Sequence, residues 1–155
     1  MDAVDVQDFL LTTTEENESI FMETYSQFGE PDAALLAKWS RIREIRDAVN
    51  KDIEAVRAAG QLGSSLQANV TLTVAPDDHA LLASLGDDLK FVFITSAVTL
   101  LAGDTLAITV TPSTAQKCDR CWHWRDDVGA DAAHPTICGR CVSNLQGEGE
   151  TRLVA

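Results

Sequence analysis

The sequence lacks several features that would place it in common functional classes. No stretch approaches the run of about 20 apolar residues that a membrane-spanning helix needs. The first five residues contain no basic side chain, so a secretory signal is not expected. The motifs G-x-x-x-x-G-K-[ST], G-x-S-x-G and H-E-x-x-H are missing, and the carboxylates are scattered. We therefore expect a cytoplasmic chain with no membrane partner and no catalytic constellation of its own.

Basic residues are missing from the first thirty positions, which carry eight acidic side chains. The whole chain has 12 Lys and Arg against 24 Asp and Glu, a formal net charge of −12. The rest of the chain is closer to balance, so local basic faces can exist there. This distribution fits a modest contact with nucleic acid and argues against a high-affinity clamp.

One long amphipathic helix is predicted between Pro31 and Ala59, with Gly60 as its stop. Its apolar residues recur at steps of three and four and form one stripe: Leu35, Trp39, Ile42, Ile45, Val49, Ile53 and Val56. The upstream segment offers only residues 9–11 and the aromatic group at 20–28 as partners. The stripe therefore predicts a helix from an incomplete helical bundle.

A small strand–helix–strand–strand unit is predicted after this helix. Residues 67–74 alternate between apolar and polar side chains, as in a half-buried strand. A short helix is expected from Asp77 to Leu85. Leu89–Leu100 is rich in β-branched and aromatic residues and predicts a central strand, and Leu106–Val110 alternates again.

All four cysteines lie in the last quarter of the chain, in two C-x-x-C pairs separated by sixteen residues: Cys118, Cys121, Cys138 and Cys141. This spacing is typical of zinc ribbons, in which two tight turns supply four sulfurs to one tetrahedral ion. A four-thiolate shell leaves no position for water, so the predicted zinc ion is structural. Without it, a segment of about forty residues is too small to hold a core and should unfold.

Three alternatives to this zinc site stay open. His123 or His134 could replace one cysteine as a ligand. A C-x-x-C motif can serve redox chemistry, and four cysteines can form two disulfides in an oxidising compartment. The paired spacing and the reducing compartment expected here favour zinc.

Four thiolates around one zinc ion leave an excess of negative charge that needs compensation. The nearby cations are Lys117, Arg120, Arg125 and Arg140. Gly139, inside the second pair, is expected to adopt the left-handed backbone that such turns often need.

Trp122 and Trp124 flank His123 directly after the second cysteine. An extended backbone would put both rings on one face, whereas a tight turn at the metal would separate them. One ring could then cover the module while the other stacks on an unpaired base, for about 1–3 kcal/mol. The alternative is that both rings are packed, and the spacing does not decide between them.

Two stretches resemble bacterial isoleucyl-tRNA synthetases, which are class I aminoacyl-tRNA synthetases. The cysteine segment from Lys117 to Cys141, with Gly147-Glu148-Gly149-Glu150 after it, is similar to their C-terminal zinc motif. Residues 39–57 resemble the last helix of the anticodon-binding bundle, and residues 63–68 resemble its entry into a small α/β unit. The resemblance covers residues from about 20 to 155 in the same order.

The resemblance implies a C-terminal fragment that binds the anticodon stem-loop of tRNA(Ile) and is joined to the remainder of the synthetase chain. The parent would activate isoleucine with ATP and charge that tRNA. The four cysteines would hold the zinc ion. Trp122 would be the better candidate for an anticodon contact, with Arg120, Trp124, Arg140 and Arg46 as further tRNA-binding candidates. The HIGH-like and KMSKS-like signatures are absent, so the reaction is not expected of this chain alone.

The sequence as a whole predicts an α+β fold in three parts. Residues 1–60 would be an acidic lead-in plus the last bundle helix, residues 61–115 a small α/β junction domain, and residues 116–155 a zinc-ribbon domain. The alternative function is a free-standing zinc-ribbon adaptor that binds protein through its exposed helix stripe. A thiol oxidoreductase is a third hypothesis.

Overall fold

The computed structural model describes residues 29–150. The described residues from Ala34 onward belong to one compact unit, and residues 29–33 belong to a second unit that is otherwise outside the described part. The upstream apolar groups at 9–11 and 20–28 therefore lie outside the described residues. Among the helices that are described, none combines the length and the apolar character needed to cross a bilayer.

Helix α1 (Ala33–Ala58) agrees with the predicted long helix to within two residues at each end. It ends just before Gly60, whose φ of +75° is a backbone conformation that glycine adopts without strain. Four stripe residues are buried: Ile42, Ile45, Val49 and Ile53. They belong to the same apolar cluster as the sheet, so the α/β unit covers the middle of the stripe. At its N-terminal end Leu35 is 51% exposed, and cover by further helices stays a prediction there.

Three strands form the sheet: β1 (Ala68–Val74), β2 (Ala97–Ala102) and β3 (Ala107–Pro112). Strand β1 is central, with β2 parallel on one side and β3 antiparallel on the other. Val70 lies opposite both Val98 and Val110, which places three valines in one row of the buried face. The alternation predicted for the first strand is confirmed, since every second residue of β1 is buried.

The prediction of a central strand over Leu89–Leu100 is wrong. After α2 (Pro76–Ala83) and a 3-10 turn, residues Leu89–Phe93 form the short helix α3, and strand β2 starts only at Ala97. Leu89 and Phe93 are both buried, four residues apart, which is the spacing of one helix face. The β-branched composition correctly indicated that this segment is buried, but it did not show that the buried residues follow the period of a helix and not that of a strand. Strand β2 is also at the edge of the sheet, because it pairs only with β1. That pairing is parallel and uses the helical crossover between the two strands.

The zinc module, defined here as residues 116–146, follows the sheet. It contains the two-residue strands β4 (Gln116–Lys117) and β5 (Trp124–Arg125), which pair antiparallel, and helix α4 (Gly139–Gln146). Its three buried cysteines form an apolar cluster separate from that of the sheet. The predicted α+β fold class with a C-terminal four-cysteine module is confirmed.

Candidate metal centre

The four cysteine sulfurs converge on one point. The Sγ atoms of Cys118 and Cys141 are 3.7 Å apart, those of Cys121 and Cys138 are also 3.7 Å apart, and all four lie within 4.8 Å of one another. A tetrahedron with zinc–sulfur bonds of about 2.3 Å has edges of about 3.8 Å. The sulfurs are therefore already spaced for one zinc ion. All four thiols are free, which contradicts the disulfide alternative.

The first cysteine pair sits in a tight turn between β4 and β5. The Trp122 N–H donates to the Cys118 carbonyl (2.9 Å), and the Cys118 N–H donates to the His123 carbonyl (2.9 Å). Trp122 has a φ of +65°, a left-handed conformation that is unusual for a residue with a large side chain. Such a conformation costs on the order of 1–3 kcal/mol and persists only where the surroundings impose it.

The second cysteine pair sits at the start of α4. Cys138 precedes the helix, and its N–H donates to the Cys118 sulfur (3.4 Å). The expectation of a left-handed Gly139 is wrong, because Gly139 is the first helical residue. Its N–H donates to Asp127 Oδ2 (3.1 Å), and a Cβ on it would lie 3.0 Å from that oxygen. A Cβ at this position would press on the Asp127 carboxylate, and the left-handed residue is Trp122.

Arg120 compensates the negative charge of the sulfurs directly. One of its terminal nitrogens lies 3.6 Å from the Cys141 Sγ, and this hydrogen bond raises the pKa of the guanidinium. The other predicted cations make different contacts within the described residues. Arg125 pairs with Asp127 (2.8 Å), and Lys117 and Arg140 lie over aromatic rings.

The two thiols of the first pair differ in how readily they ionise. Burial disfavours the Cys118 thiolate, but hydrogen bonds from the backbone at Cys121, Cys138 and Arg120 together bring its pKa down to about 6. Burial raises the pKa of the Cys121 thiol to about 12. Metal binding requires thiolates, so both thiols of this pair lose their protons when the ion binds.

Neither histidine replaces a cysteine. His123 Nδ1 is 3.1 Å from the Cys121 carbonyl oxygen, and His134 Nδ1 is 3.5 Å from an Asp131 carboxylate oxygen. In the described part of the chain, the ligand atoms that converge on one point are the four cysteine sulfurs. The four cysteines are therefore arranged to hold one zinc ion in a closed shell of thiolates, which is the arrangement of a structural site.

The structure brings two of the predicted tRNA-binding residues together on the first cysteine turn. Trp122 is 59% exposed, and Arg120 lies next to it across Cys121. Trp124 is only partly exposed, so the turn separates the two indoles and presents Trp122 to solvent. Arg140 has 16% of its side chain exposed and lies over the Phe91 ring. Arg46 is on α1, outside the zinc module.

Three further residues shape this site, and two of them, Ser96 and Phe91, carried no signal in the sequence. Lys117 Nζ lies 5.7 Å from the centre of the Trp122 ring. Ser96 and Phe91, from the loop before β2 and from α3, contact the zinc module. The contacts of Ser96 and Phe91 join residues that are distant in the sequence. Lys117 was already identified as a cation because it lies beside the first cysteine.

Comparison with known proteins agrees with the geometry. The zinc finger found in FPG and IleRS matches residues 115–144. The isoleucine–tRNA ligase of Bordetella petrii is 56% identical over 138 residues, which are 86% of this chain and 14% of that protein. Those of Thiobacillus denitrificans and Ralstonia pickettii are each 53% identical, over 88% and 92% of this chain.

The chain spans only about 15% of the length of the curated relatives it matches. The zinc-finger match lies near the C-terminal end of the chain, in the order that the sequence resemblance predicted. That resemblance is confirmed: most of this chain is similar to the C-terminal, zinc-binding region of isoleucine–tRNA ligases.

Proposed function

We propose that this chain is the part of an isoleucine–tRNA ligase that binds the anticodon stem-loop of tRNA(Ile), with Trp122 as the principal contact. The observation that carries the proposal is an indole 59% exposed on a left-handed residue of a metal-held turn. Backbone geometry does not account for a tryptophan here, because glycine would take this conformation without strain. Packing does not account for it either, because a ring that is mostly in water does little packing. Strained residues of this kind are concentrated at functional sites.

The surroundings of Trp122 suit a single-stranded nucleic acid. An unstacked base can lie on an indole face, and such stacking is worth about 1–3 kcal/mol per base. Lys117 and Arg120, on either side of the first cysteine, add positive charge that can approach backbone phosphates. Because the chain as a whole is acidic, this local pair of cations matters more than any general attraction.

Trp124, Arg140 and Arg46 are proposed as weaker contacts. Trp124 is only partly exposed, and Arg140 is mostly buried against the Phe91 ring. Both side chains therefore offer less accessible surface to a partner than Trp122 does. Arg46 Nε is buried and has no hydrogen-bond partner among the described residues, so an acceptor from a partner would satisfy it. We expect each of these three side chains to contribute less to affinity than Trp122.

The remaining parts of the proposal concern the parent protein. The remainder of the synthetase chain would be the covalent partner of this region and would activate isoleucine with ATP and charge the tRNA in the cytoplasm. The boundaries at residues 60/61 and 115/116 stay predictions, since α1 and the sheet share one apolar cluster. The similarity to isoleucine–tRNA ligases supports this assignment without testing the tRNA contact itself.

The proposal is tested by the affinity of the zinc-loaded chain for an isoleucine tRNA transcript. We expect Trp122→Ala to raise Kd by about five- to 150-fold, the equivalent of one lost stacking contact. Arg120→Ala should weaken binding less. Leu145→Ala is the matched control, since Leu145 is 51% exposed in the same module. Unchanged affinity in both the Trp122 and Arg120 variants would count decisively against tRNA binding by this surface.

The adaptor hypothesis has less support. It requires an exposed apolar stripe on α1, but Ile42, Ile45, Val49 and Ile53 are buried in the cluster that contains the sheet. The middle of the stripe is therefore covered by the chain itself, whereas Leu35 at its N-terminal end is 51% exposed.

A further inference from the structure

A buried hydroxyl joins the zinc module to the α/β unit. Ser96, in the loop before β2, is 7% exposed. Its hydroxyl donates to the Leu66 carbonyl and accepts the N–H of Trp124 at 2.6 Å. A serine hydroxyl has one hydrogen to donate and lone pairs to accept with, so both of its capacities are used. One oxygen thus links the entry to β1, the entry to β2 and the start of β5.

A second contact lies on Phe91 of helix α3. The His123 ring meets it edge-on, with centroids 5.6 Å apart and planes at 79°. The Arg140 guanidinium carbon lies 4.8 Å from the centre of the same ring. His123 follows the first cysteine pair and Arg140 lies inside the second, so Phe91 contacts both halves of the zinc module.

Building on the proposed tRNA-binding function, we infer that Ser96 and Phe91 are positioning residues that fix the direction in which the zinc module presents Trp122. A zinc ion holds the cysteine turns relative to each other but does not orient the module on its neighbour. Trp122 is two residues from Trp124, whose amide is held by Ser96. An unoriented module would have to be ordered when tRNA binds, and that ordering weakens affinity.

The test uses the full zinc-loaded chain and three readouts: zinc content, the orientation of the module from residual dipolar couplings, and Kd for an isoleucine tRNA transcript. We expect Ser96→Ala to retain one zinc ion, lose the fixed orientation, speed amide exchange at Trp124 and raise Kd by about fivefold or more. Ser96→Thr, which keeps a hydroxyl, should restore much of the affinity. Ser84→Ala is the matched control, because the Ser84 hydroxyl donates only to Leu81 of its own helix in the described contacts.

Phe91→Leu provides a second, independent variant that keeps apolar bulk and removes the ring. A fixed orientation in both Ser96→Ala and Phe91→Leu would overturn the inference, as would loss of zinc from both. Lost orientation with unchanged Kd, in a chain whose Trp122→Ala variant binds weakly, would also overturn it. If Trp122→Ala leaves Kd unchanged, the proposed function fails, whereas a lost orientation would still support positioning by Ser96 and Phe91.

Discussion

The Lys117 ammonium lies 5.7 Å from the centre of the Trp122 ring, so the exposed indole of the zinc module carries a cation over one face. Contacts of this kind contribute about 0.5–1 kcal/mol at exposed sites. The contact restrains the side chain of a residue whose backbone is already held in a left-handed turn. The ring is therefore partly pre-ordered before any base reaches it.

Replacing Trp122 by glycine and by alanine should separate its structural cost from its functional value. Both variants lose the ring, so both should bind isoleucine tRNA weakly. Glycine takes a φ of +65° without strain, whereas alanine does not, so Trp122→Gly should retain zinc at least as well as Trp122→Ala. Zinc competition with a chelator measures this order. Weaker zinc retention by the glycine variant would show that the ring stabilises the turn.

The substitution Lys117→Met removes the ammonium but keeps an unbranched side chain. We expect Kd for tRNA to rise by about two- to fivefold, because the ring loses the contact that pre-orders it and the surface loses one positive charge. Lys51→Met, at an exposed lysine of α1, is the control. Equal effects of the two substitutions would mean that Lys117 acts through general charge and not through the ring.

Removal of zinc should unfold the zinc module and spare the α/β unit. The cluster around the cysteines is separate from the cluster formed by α1 and the sheet. Binding of a structural zinc ion supplies on the order of 10 kcal/mol to such a module. Hydrogen exchange after chelation should therefore show lost protection in α4 and retained protection in α1 and β1. Lost protection in β1 would contradict this independence.

Sequence reasoning succeeded where the signal is local and failed where it is tertiary. The spacing of the cysteines predicts the metal site, because each pair lies within one turn of the chain. The apolar stripe on α1 predicts that this face of the helix is buried. The period of the stripe does not show which residues cover it; in the structure Ile45 and Val49 belong to the apolar cluster of the α/β unit. Leu89–Phe93 has the composition of a strand but folds as a helix. Ser96 carried no signal, because its two hydrogen bonds depend on segments brought together only by folding.

Alanine substitutions at Gly129 and Gly60 should destabilise the protein unequally. Both glycines have positive φ, +78° and +75°, so both substitutions incur a similar backbone cost of about 1 kcal/mol. A Cβ at Gly129 would lie 2.8 Å from the Pro135 carbonyl oxygen, whereas a Cβ at Gly60 meets nothing within 4 Å. We expect Gly129→Ala to lower the melting temperature and the zinc retention more than Gly60→Ala does. Equal losses would mean that the Pro135 loop moves aside without cost.

The ion pair between Arg41 and Asp78 should make stability depend on acid pH. Two guanidinium nitrogens of Arg41 donate to the Asp78 carboxylate, at 2.8 and 2.7 Å, and join α1 to α2. The hydrogen bond from Arg41 lowers the pKa of Asp78. The added stability is therefore complete above the unfolded pKa of about 3.9 and is lost as pH falls through the lower folded pKa.

Asp78→Asn should cost less than about 1 kcal/mol near pH 7, because 48% of the Arg41 side chain is exposed. The difference from the unchanged chain should vanish at low pH. Hydrogen exchange of the α1 amides in denaturant measures this difference in stability, and loss of zinc does not interfere with it. Glu54→Gln is the control, since the Glu54–Arg57 pair lies on one exposed helix face. A difference that persists below the folded pKa of Asp78 would refute the assignment.

The order β2–β1–β3 has a consequence for synthesis on the ribosome. Translation delivers the central strand before either of its neighbours, so β1 emerges with both of its edges unpaired. Helix α1 has already emerged by then and can shield the apolar face of β1, but it cannot satisfy the edges. A nascent chain that stalls between Ala102 and Ala107 still has one open edge on β1. Such truncated products should aggregate through strand pairing at the open edge of β1 more readily than chains completed through Pro112, in which β1 is paired on both sides.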